Sequence, residues 1–322
     1  MLNAAVIGCG HIGKLHANAF AQCENVRLCA LIDTDPERAG AAAEQFGAKA
    51  YASIDEVPEQ IDIVSVATPG FAHYSVVMDL LERGIDVLCE KPLTLGVEEA
   101  REIEKKCRET GRRIGVGFKM RYEEVFLKAK ELMPQLGRIY AVSEVKSQPH
   151  PLAGNRTWMS KSGCMHELAV HDYDLIEWLM GADAKSVYAL LDYSYGWETE
   201  NGARLTVEYE NGAHGMLLSE YCSGEGVVGG YDCAMTFIGE NGYVRIERPN
   251  RLGLHTTSHQ VSDVTPVPDS EAFARQTKTF VDSILNGNPF AADVKRGVWA
   301  TVFVEAAHRS AKEEKKVYVK DI

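Results

Sequence analysis

No stretch of this 322-residue chain is apolar for long enough to cross a bilayer, so no membrane-spanning helix is expected. Positive charge is in short supply: 34 Lys and Arg stand against 46 Asp and Glu, a net charge of −12. That balance disfavours nucleic acid and anionic membrane as partners. A basic leader ahead of an apolar segment is missing too, because an apolar strand pattern starts almost at Met1, and no secretory signal is expected. Cysteine occurs eight times but never as C-x-x-C. Scattered in a chain this long, Cys9, Cys23, Cys29, Cys89, Cys107, Cys164, Cys222 and Cys233 do not read as a disulfide framework. Most read as small buried hydrophobes in a reducing, cytoplasmic setting. There is no internal repeat and no low-complexity tract.

What is present suits two globular domains, with a hydrophobic content of 45%. Residues 1–120 alternate strand and helix patterns. The strands fall at Ala4 to Ile7, Val26 to Ile32, Lys49 to Tyr51, Ile61 to Ala67, Asp86 to Cys89 and Arg113 to Gly117; the helices fall at Lys14 to Gln22, Pro36 to Phe46, Phe71 to Arg83 and Val97 to Thr110. Continuous apolar strands such as Ile61-Asp62-Ile63-Val64-Ser65-Val66-Ala67 suit a parallel sheet covered on both faces, a doubly wound α/β domain of Rossmann type. In residues 121–322 the texture changes to longer runs rich in β-branched and aromatic residues, several joined by Asn-Gly turns at Asn211-Gly212 and Asn241-Gly242. These predict an α+β domain with a large, mainly antiparallel sheet. Its helices are expected at Glu123 to Met133, His166 to Met180, Ser270 to Asn286 and Asp293 to Glu313, with a loop from Thr256 to Pro268.

The most informative stretch is the first turn, Gly8-Cys9-Gly10-His11-Ile12-Gly13, between a strand and a helix. Gly8 permits the turn, Gly10 lets the backbone approach a pyrophosphate, and Gly13 lets helix and strand pack closely. The N–H groups of His11, Ile12 and Gly13 then open a helix whose N-terminus favours phosphate. Asp33, with Thr34 beside it, follows twenty residues past Gly13 at the end of the second strand. A carboxylate there accepts ribose hydroxyls and repels a 2′-phosphate, which predicts NAD rather than NADP.

Two further stretches could carry chemistry. Lys91, in Glu90-Lys91-Pro92, follows the fifth strand, and ligands of such sheets bind beyond the strands' carboxyl ends. A lysine there can polarise a substrate hydroxyl; an ordinary surface lysine fits the same position equally well. Pro92 invites a cis bond. In Gly163-Cys164-Met165-His166-Glu167-Leu168-Ala169-Val170-His171-Asp172-Tyr173-Asp174, a continuous helix puts Glu167, His171 and Asp174 on one face. A carboxylate beside an imidazole fixes its tautomer and makes it a better base. A zinc reading fails on spacing, because His166 and His171 would stand about 140° apart on an α-helix, and no metal is expected.

Taken in order, Gly8-x-Gly10-x-x-Gly13-x-x-His16, Ala67-Thr68-Pro69-x-x-x-His73, Glu90-Lys91-Pro92 and the helix from His171 to Leu179 resemble the glucose-fructose oxidoreductase, inositol dehydrogenase and MocA family over nearly the whole chain. The resemblance implies an NAD(P)-dependent dehydrogenase acting on a secondary alcohol of a polyol, sugar or sugar derivative. It makes Lys91 the catalytic lysine, His171 the general acid/base and Glu167, where the family usually has aspartate, their support. Ala67, Thr68, Pro69, His73 and Glu90 then line the cofactor; for His73 a packing role fits as well. Lys119, Met120 and Arg121 open the second domain at a substrate-facing segment, where inositol dehydrogenases tend to read Met-Arg in place of Lys119-Met120. Arg156 and Trp158, in the loop before the helix, are candidates for an anionic group and a sugar face. The resemblance also implies a homodimer or homotetramer formed through the open face of the second sheet. Nucleotide-sugar 3-dehydrogenase, NADP-linked ketone reductase and non-catalytic NAD-binding regulator are the alternatives.

Overall fold

A computed structural model describes residues 1–149, 158–222, 232–256, 260–264 and 271–322. The chain begins with strand β1 (Leu2–Ile7), helix α1 (His11–Ala21), β2 (Val26–Ile32), α2 (Pro36–Phe46), β3 (Lys49–Tyr51), β4 (Ile63–Val66), α3 (His73–Glu82), β5 (Asp86–Cys89), α4 (Val97–Thr110) and β6 (Ile114–Val116). The six strands form one parallel sheet in the order β3-β2-β1-β4-β5-β6. Every residue of β4, β5 and β6 is buried, which is why these strands read as unbroken apolar runs. The order reverses between β1 and β4, and such switch points receive the ligand in open α/β sheets. Local signals set the helix ends. Asp35 accepts the Glu37 and Arg38 N–H groups with Pro36 in the first turn, and Gly47 and Gly111 close α2 and α4 in the left-handed region.

There follow α5 (Glu124–Leu132), β7 (Ile139–Pro149), α6 (Met159–Cys164), one π-helical turn (Met165–Ala169), α7 (Val170–Met180), β8 (Ala184–Asp192), β9 (Gly202–Tyr209), β10 (His214–Cys222), β11 (Asp232–Gly239), β12 (Gly242–Glu247), β13 (Arg251–Thr256), β14 (Gln260–Val264), α8 (Ala272–Asn286), α9 (Val294–Glu313) and β15 (Val317–Tyr318). The second sheet runs β14-β13-β12-β11-β7-β10-β9-β8-β15. All its pairs are antiparallel except β7 with β10. The Asn-Gly hairpins form as expected, at β9–β10 and β11–β12. One face of this sheet meets α7, where Lys146 of β7 is ion-paired with Asp172, both fully buried. The opposite face carries exposed Val145, Tyr188, Leu190, Met216, Ile238 and Tyr243.

The chain divides into two compact units, Met1–Tyr122 with Ser270–Thr301, and Glu123–Asp269 with Val302–Ile322. In the first unit α8 backs α1: Val281 joins the core of Phe20, Leu31 and Ile63, and Ile284 packs against it. The Arg113 guanidinium donates to the carbonyls of Ser283, Gly287 and Asn288, and Gly115 bridges to Asp293.

Two expected elements change, and α8, expected in the second domain, falls in the first unit. The helix expected from His166 to Met180 is preceded by α6, from which Gly163 separates it at φ +83°, and it passes through a π turn before α7. Within the stretch read as a loop, Gln260–Val264 is an edge strand on β13. Its ladder comes from backbone pairing with a neighbour, which its polar composition does not advertise. Residues 257–259 and 265–268 of that stretch lie outside the described residues.

Candidate functional site

In the first unit, the residues expected around the cofactor gather at the carboxyl ends of β1, β2, β4 and β5. Gly8 has φ +95°, and a Cβ there would stand 2.7 Å from the Ala67 backbone. A Cβ on Gly13 would meet the Gly8 carbonyl oxygen at 1.7 Å. Gly10, by contrast, has nothing within 4 Å of where its Cβ would be. The Gly8 and Gly13 contacts fit the turn and the close helix–strand packing read from the motif. No side chain caps α1, and its first turn carries no acid, so the N–H groups at His11, Ile12 and Gly13 start a helix open to an anion. Asp33 is held from both sides, accepting the Cys9 N–H at 2.8 Å on Oδ2 and the Asp35 N–H at 2.9 Å on Oδ1, with exposed Thr34 between. Ala67, Thr68 and Pro69 follow β4 half-buried, and the Thr68 hydroxyl is buried without a partner among the described residues. An uncapped helix start, an open glycine, a fixed carboxylate and an unmatched hydroxyl together fit a dinucleotide.

The next strand end is built around a buried carboxylate. Glu90 accepts from His16 Nε2 at 2.8 Å and from the Lys91 N–H at 3.2 Å. Burial pushes its pKa up, but the His16 hydrogen bond and charge, then Lys91, outweigh burial and hold the carboxyl below its ordinary range. Gly117 makes room, since a Cβ there would lie 2.8 Å from the carboxylate. Half-buried Lys91 follows directly, and its bond to Pro92 is cis, as expected. His73 is fully buried, with Nδ1 2.7 Å from the Pro92 carbonyl oxygen and Nε2 2.9 Å from that of Thr68. It ties the loop after β4 to the loop after β5. Lys119, Met120 and Arg121 form a 3-10 turn just past β6 in the same unit. The Lys119 ammonium lies 5.8 Å from the Phe273 ring centroid, Met120 is buried, and the Arg121 guanidinium donates to the Ala291 carbonyl at 3.0 Å. Phe273 also meets His16 edge-on, with ring centroids 5.2 Å apart.

In the second unit, Glu167 lies inside the π turn and His171 at the start of α7, both half-buried. The turn is wide: the Val170 N–H bonds the Met165 carbonyl, five residues back. The 140° separation expected for His166 and His171 assumed a continuous α-helix and does not apply across this turn. His166 faces inward, with Nδ1 3.2 Å from the Ser162 carbonyl oxygen and its ring 6.1 Å from that of His308. Burial, then the neighbouring His308, lowers its pKa to about 4. Among the described residues no group of three or more His, Cys, Asp or Glu is placed to hold a metal ion. Trp158 packs against a cluster of Met159, Cys164, Leu168 and Tyr221 that Tyr195 and Trp197 also join. Arg156 lies outside the described residues.

Two residues the sequence reading did not single out on their own matter here. His16 entered only as the last letter of the glycine motif, yet it anchors Glu90. Glu200 had no local signal at all, and it closes the start of the π turn by accepting the Met165 N–H at 2.8 Å.

Residues 2–118 match an oxidoreductase family with an NAD-binding Rossmann fold, and residues 126–245 match the GFO/IDH/MocA C-terminal domain. The chain is 26% identical to inositol 2-dehydrogenase of Rhizobium meliloti (strain 1021), over 98% of each chain. It is 28% identical to inositol 2-dehydrogenase of Arthrobacter sp. (strain FB24), over 99% of this chain and 96% of that one. An oxidoreductase from Agrobacterium radiobacter, solved in complex with NAD+, L-tartaric acid and magnesium, shares the fold at a TM-score of 0.91 and 18% identity, with 99% of each chain covered. Among the described residues no helix is long and apolar enough to cross a membrane.

Proposed function

We propose a substrate and a division of labour from one premise: this chain belongs to the GFO/IDH/MocA oxidoreductase family and is an NAD-dependent dehydrogenase acting on a CH–OH group. The substrate we infer is a ring polyol, an inositol before a sugar or sugar derivative. The relatives' inositol 2-dehydrogenase names support it, over nearly their full length. We assign cofactor binding to residues 1–120 and substrate binding and self-association to residues 121–322, with α8 as structural backing for the first unit.

Bound NAD supplies the hydride acceptor. The protein's own residues do the rest. The observation that carries the proposal is the fixed strand end in which His16 holds Glu90 and Glu90 holds the backbone of Lys91. From there Lys91 polarises the substrate hydroxyl and favours its alkoxide-like form. His171 takes the hydroxyl proton on a ring nitrogen, and Glu167 orients that ring and balances its charge. Asp33 receives the adenosine ribose hydroxyls and disfavours a 2′-phosphate. Of the other substrate candidates, Lys119 and Trp158 retain that role in the proposal, and Met120 and Arg121 support the turn that carries Lys119.

We further propose a homodimer or homotetramer formed through the exposed face of the second sheet, supported by its row of apolar side chains. A cytoplasmic location is supported by the seven described cysteines, all unpaired.

The test is a rate screen with NAD, then NADP, against myo-inositol, scyllo-inositol, aldoses, sugar acids and nucleotide sugars, read by reduced-nicotinamide absorbance. Turnover of an inositol with NAD, lost in Lys91→Ala while NAD still binds, is the expected result. Near-normal turnover in Lys91→Ala overturns the mechanism; NAD binding without turnover of any alcohol overturns the enzyme.

A further inference from the structure

The second unit contains a buried carboxylate that the reaction does not use. Glu200, in the segment joining β8 to β9, is fully buried. Its backbone carbonyl accepts the Cys164 N–H at 2.9 Å, and its Oε1 accepts the Met165 N–H at 2.8 Å. Its Oε2 accepts from His308 Nε2, on α9, at 3.0 Å. One residue earlier in the same segment, the Thr199 hydroxyl donates to the Ser160 carbonyl at 2.8 Å. Gly163 is shaped around the carboxylate: a Cβ there would stand 2.5 Å from Glu200 Oε1.

The geometry has a specific meaning. Gly163, at φ +83°, ends the α-helical path, so the next N–H groups begin a helix without partners from the turn before. Helix starts of this kind are ordinarily capped by a Ser, Thr, Asn or Asp beside them in sequence. Here the cap comes from 35 residues away. The Glu200 side chain caps one N–H group, that of Met165, and its backbone carbonyl takes the other, that of Cys164. Burying a carboxyl group is costly unless its oxygens find donors, and the Met165 N–H and His308 Nε2 supply one to each. The result is a rigid origin for the π turn, from which Glu167 and His171 are counted off.

We propose that Glu200 is a positioning residue for the dehydrogenation: it caps the Cys164 and Met165 amides and thereby fixes the register of Glu167 and His171. This rests on the reading of those two residues as the acid/base pair. His308 holds the far oxygen of the carboxylate in place.

The experiment uses the full chain with NAD, comparing wild type with Glu200→Ala and Glu200→Gln by amide hydrogen exchange and by steady-state kinetics with myo-inositol as the probe. In Glu200→Ala, exchange in peptides spanning residues 164–170 rises by about tenfold or more, while the first unit is unchanged. In the same variant kcat falls by roughly ten- to a hundredfold with KM and NAD affinity little moved. Glu200→Gln keeps an acceptor for the Met165 N–H and returns kcat to within about threefold of wild type. Should Glu200→Ala fail to fold, Glu200→Asp, which withdraws the carboxylate by one methylene, carries the same expectation. A folded variant with native exchange overturns the proposal, and so does one with raised exchange and unchanged kcat. His171→Ala, run alongside, separates the two failures: if it keeps full activity, the reading of the acid/base pair has failed rather than the cap.

Discussion

Glu90 and His166 show how differently two buried titratable side chains can be used. Glu90 is stabilised as a carboxylate by His16 and Lys91, so it is a fixed charge at neutral pH. His166 is kept neutral: its pKa moves from 6.5 in the unfolded chain to about 4 in the folded one. Between those values the unfolded chain holds the extra proton, so the stability is complete above pH 6.5 and is lost as pH falls through the window. Urea unfolding at pH 6.5 and pH 5.5 should show wild type losing about 1 kcal/mol more than His166→Leu over that single step. At the proposed reacting groups, Lys91→Ala and His171→Ala should each lower kcat by about 10²–10⁴-fold, with NAD affinity by fluorescence titration unchanged. Asp33→Ser should weaken NAD binding and narrow its lead over NADP. The glycines and Asp33 were legible because each does a local job in a fixed sequence frame. His16 with Glu90 was not, because the pair is 74 residues apart in sequence and only the fold brings it together.

Elements whose ends carry their own signals were read almost to the residue. Helix α2 has Asp35 and Pro36 at one end and Gly47 at the other, and its observed span equals the expected one. Asp35→Ala should cost about 1 kcal/mol of unfolding free energy by removing two capped N–H groups, with kcat unchanged. That outcome would separate a stabilising cap from the positioning cap at Glu200, whose loss should reach kcat. The segment from His166 to Met180 reads as one continuous helix because apolar spacing does not register one wide turn, here Met165–Ala169. Strand β14 escaped for a related reason: an edge strand is defined by the neighbour it pairs with, and Gln260–Val264 carries little of the β-branched texture that marks central strands.

For the whole molecule, the two sheets were legible as classes, one parallel and buried on both faces, the other antiparallel with one face exposed. That exposed face carries Met216 at 69% and Leu190 at 57% of full exposure, with Val145 and Ile238 near them in register. Light scattering should give the mass of a dimer or tetramer. Met216→Lys should shift it toward the monomer by placing a charge in the apolar row, with Tm of the separated chains little changed. A monomer at micromolar concentration in the wild type would remove the proposed assembly.

The return of α8 to the first unit has a consequence in time. A ribosome releases the nucleotide-binding strands early, but the helix that covers α1 is encoded some 150 residues later, between Ala272 and Asn286. Until it emerges, the flank of Phe20 and Ile63 that Val281 completes stays open to solvent. The half of the protein that is synthesised first is therefore among the last to be finished, and a nascent chain stopped near Tyr122 should be a client for chaperones rather than a binder of NAD.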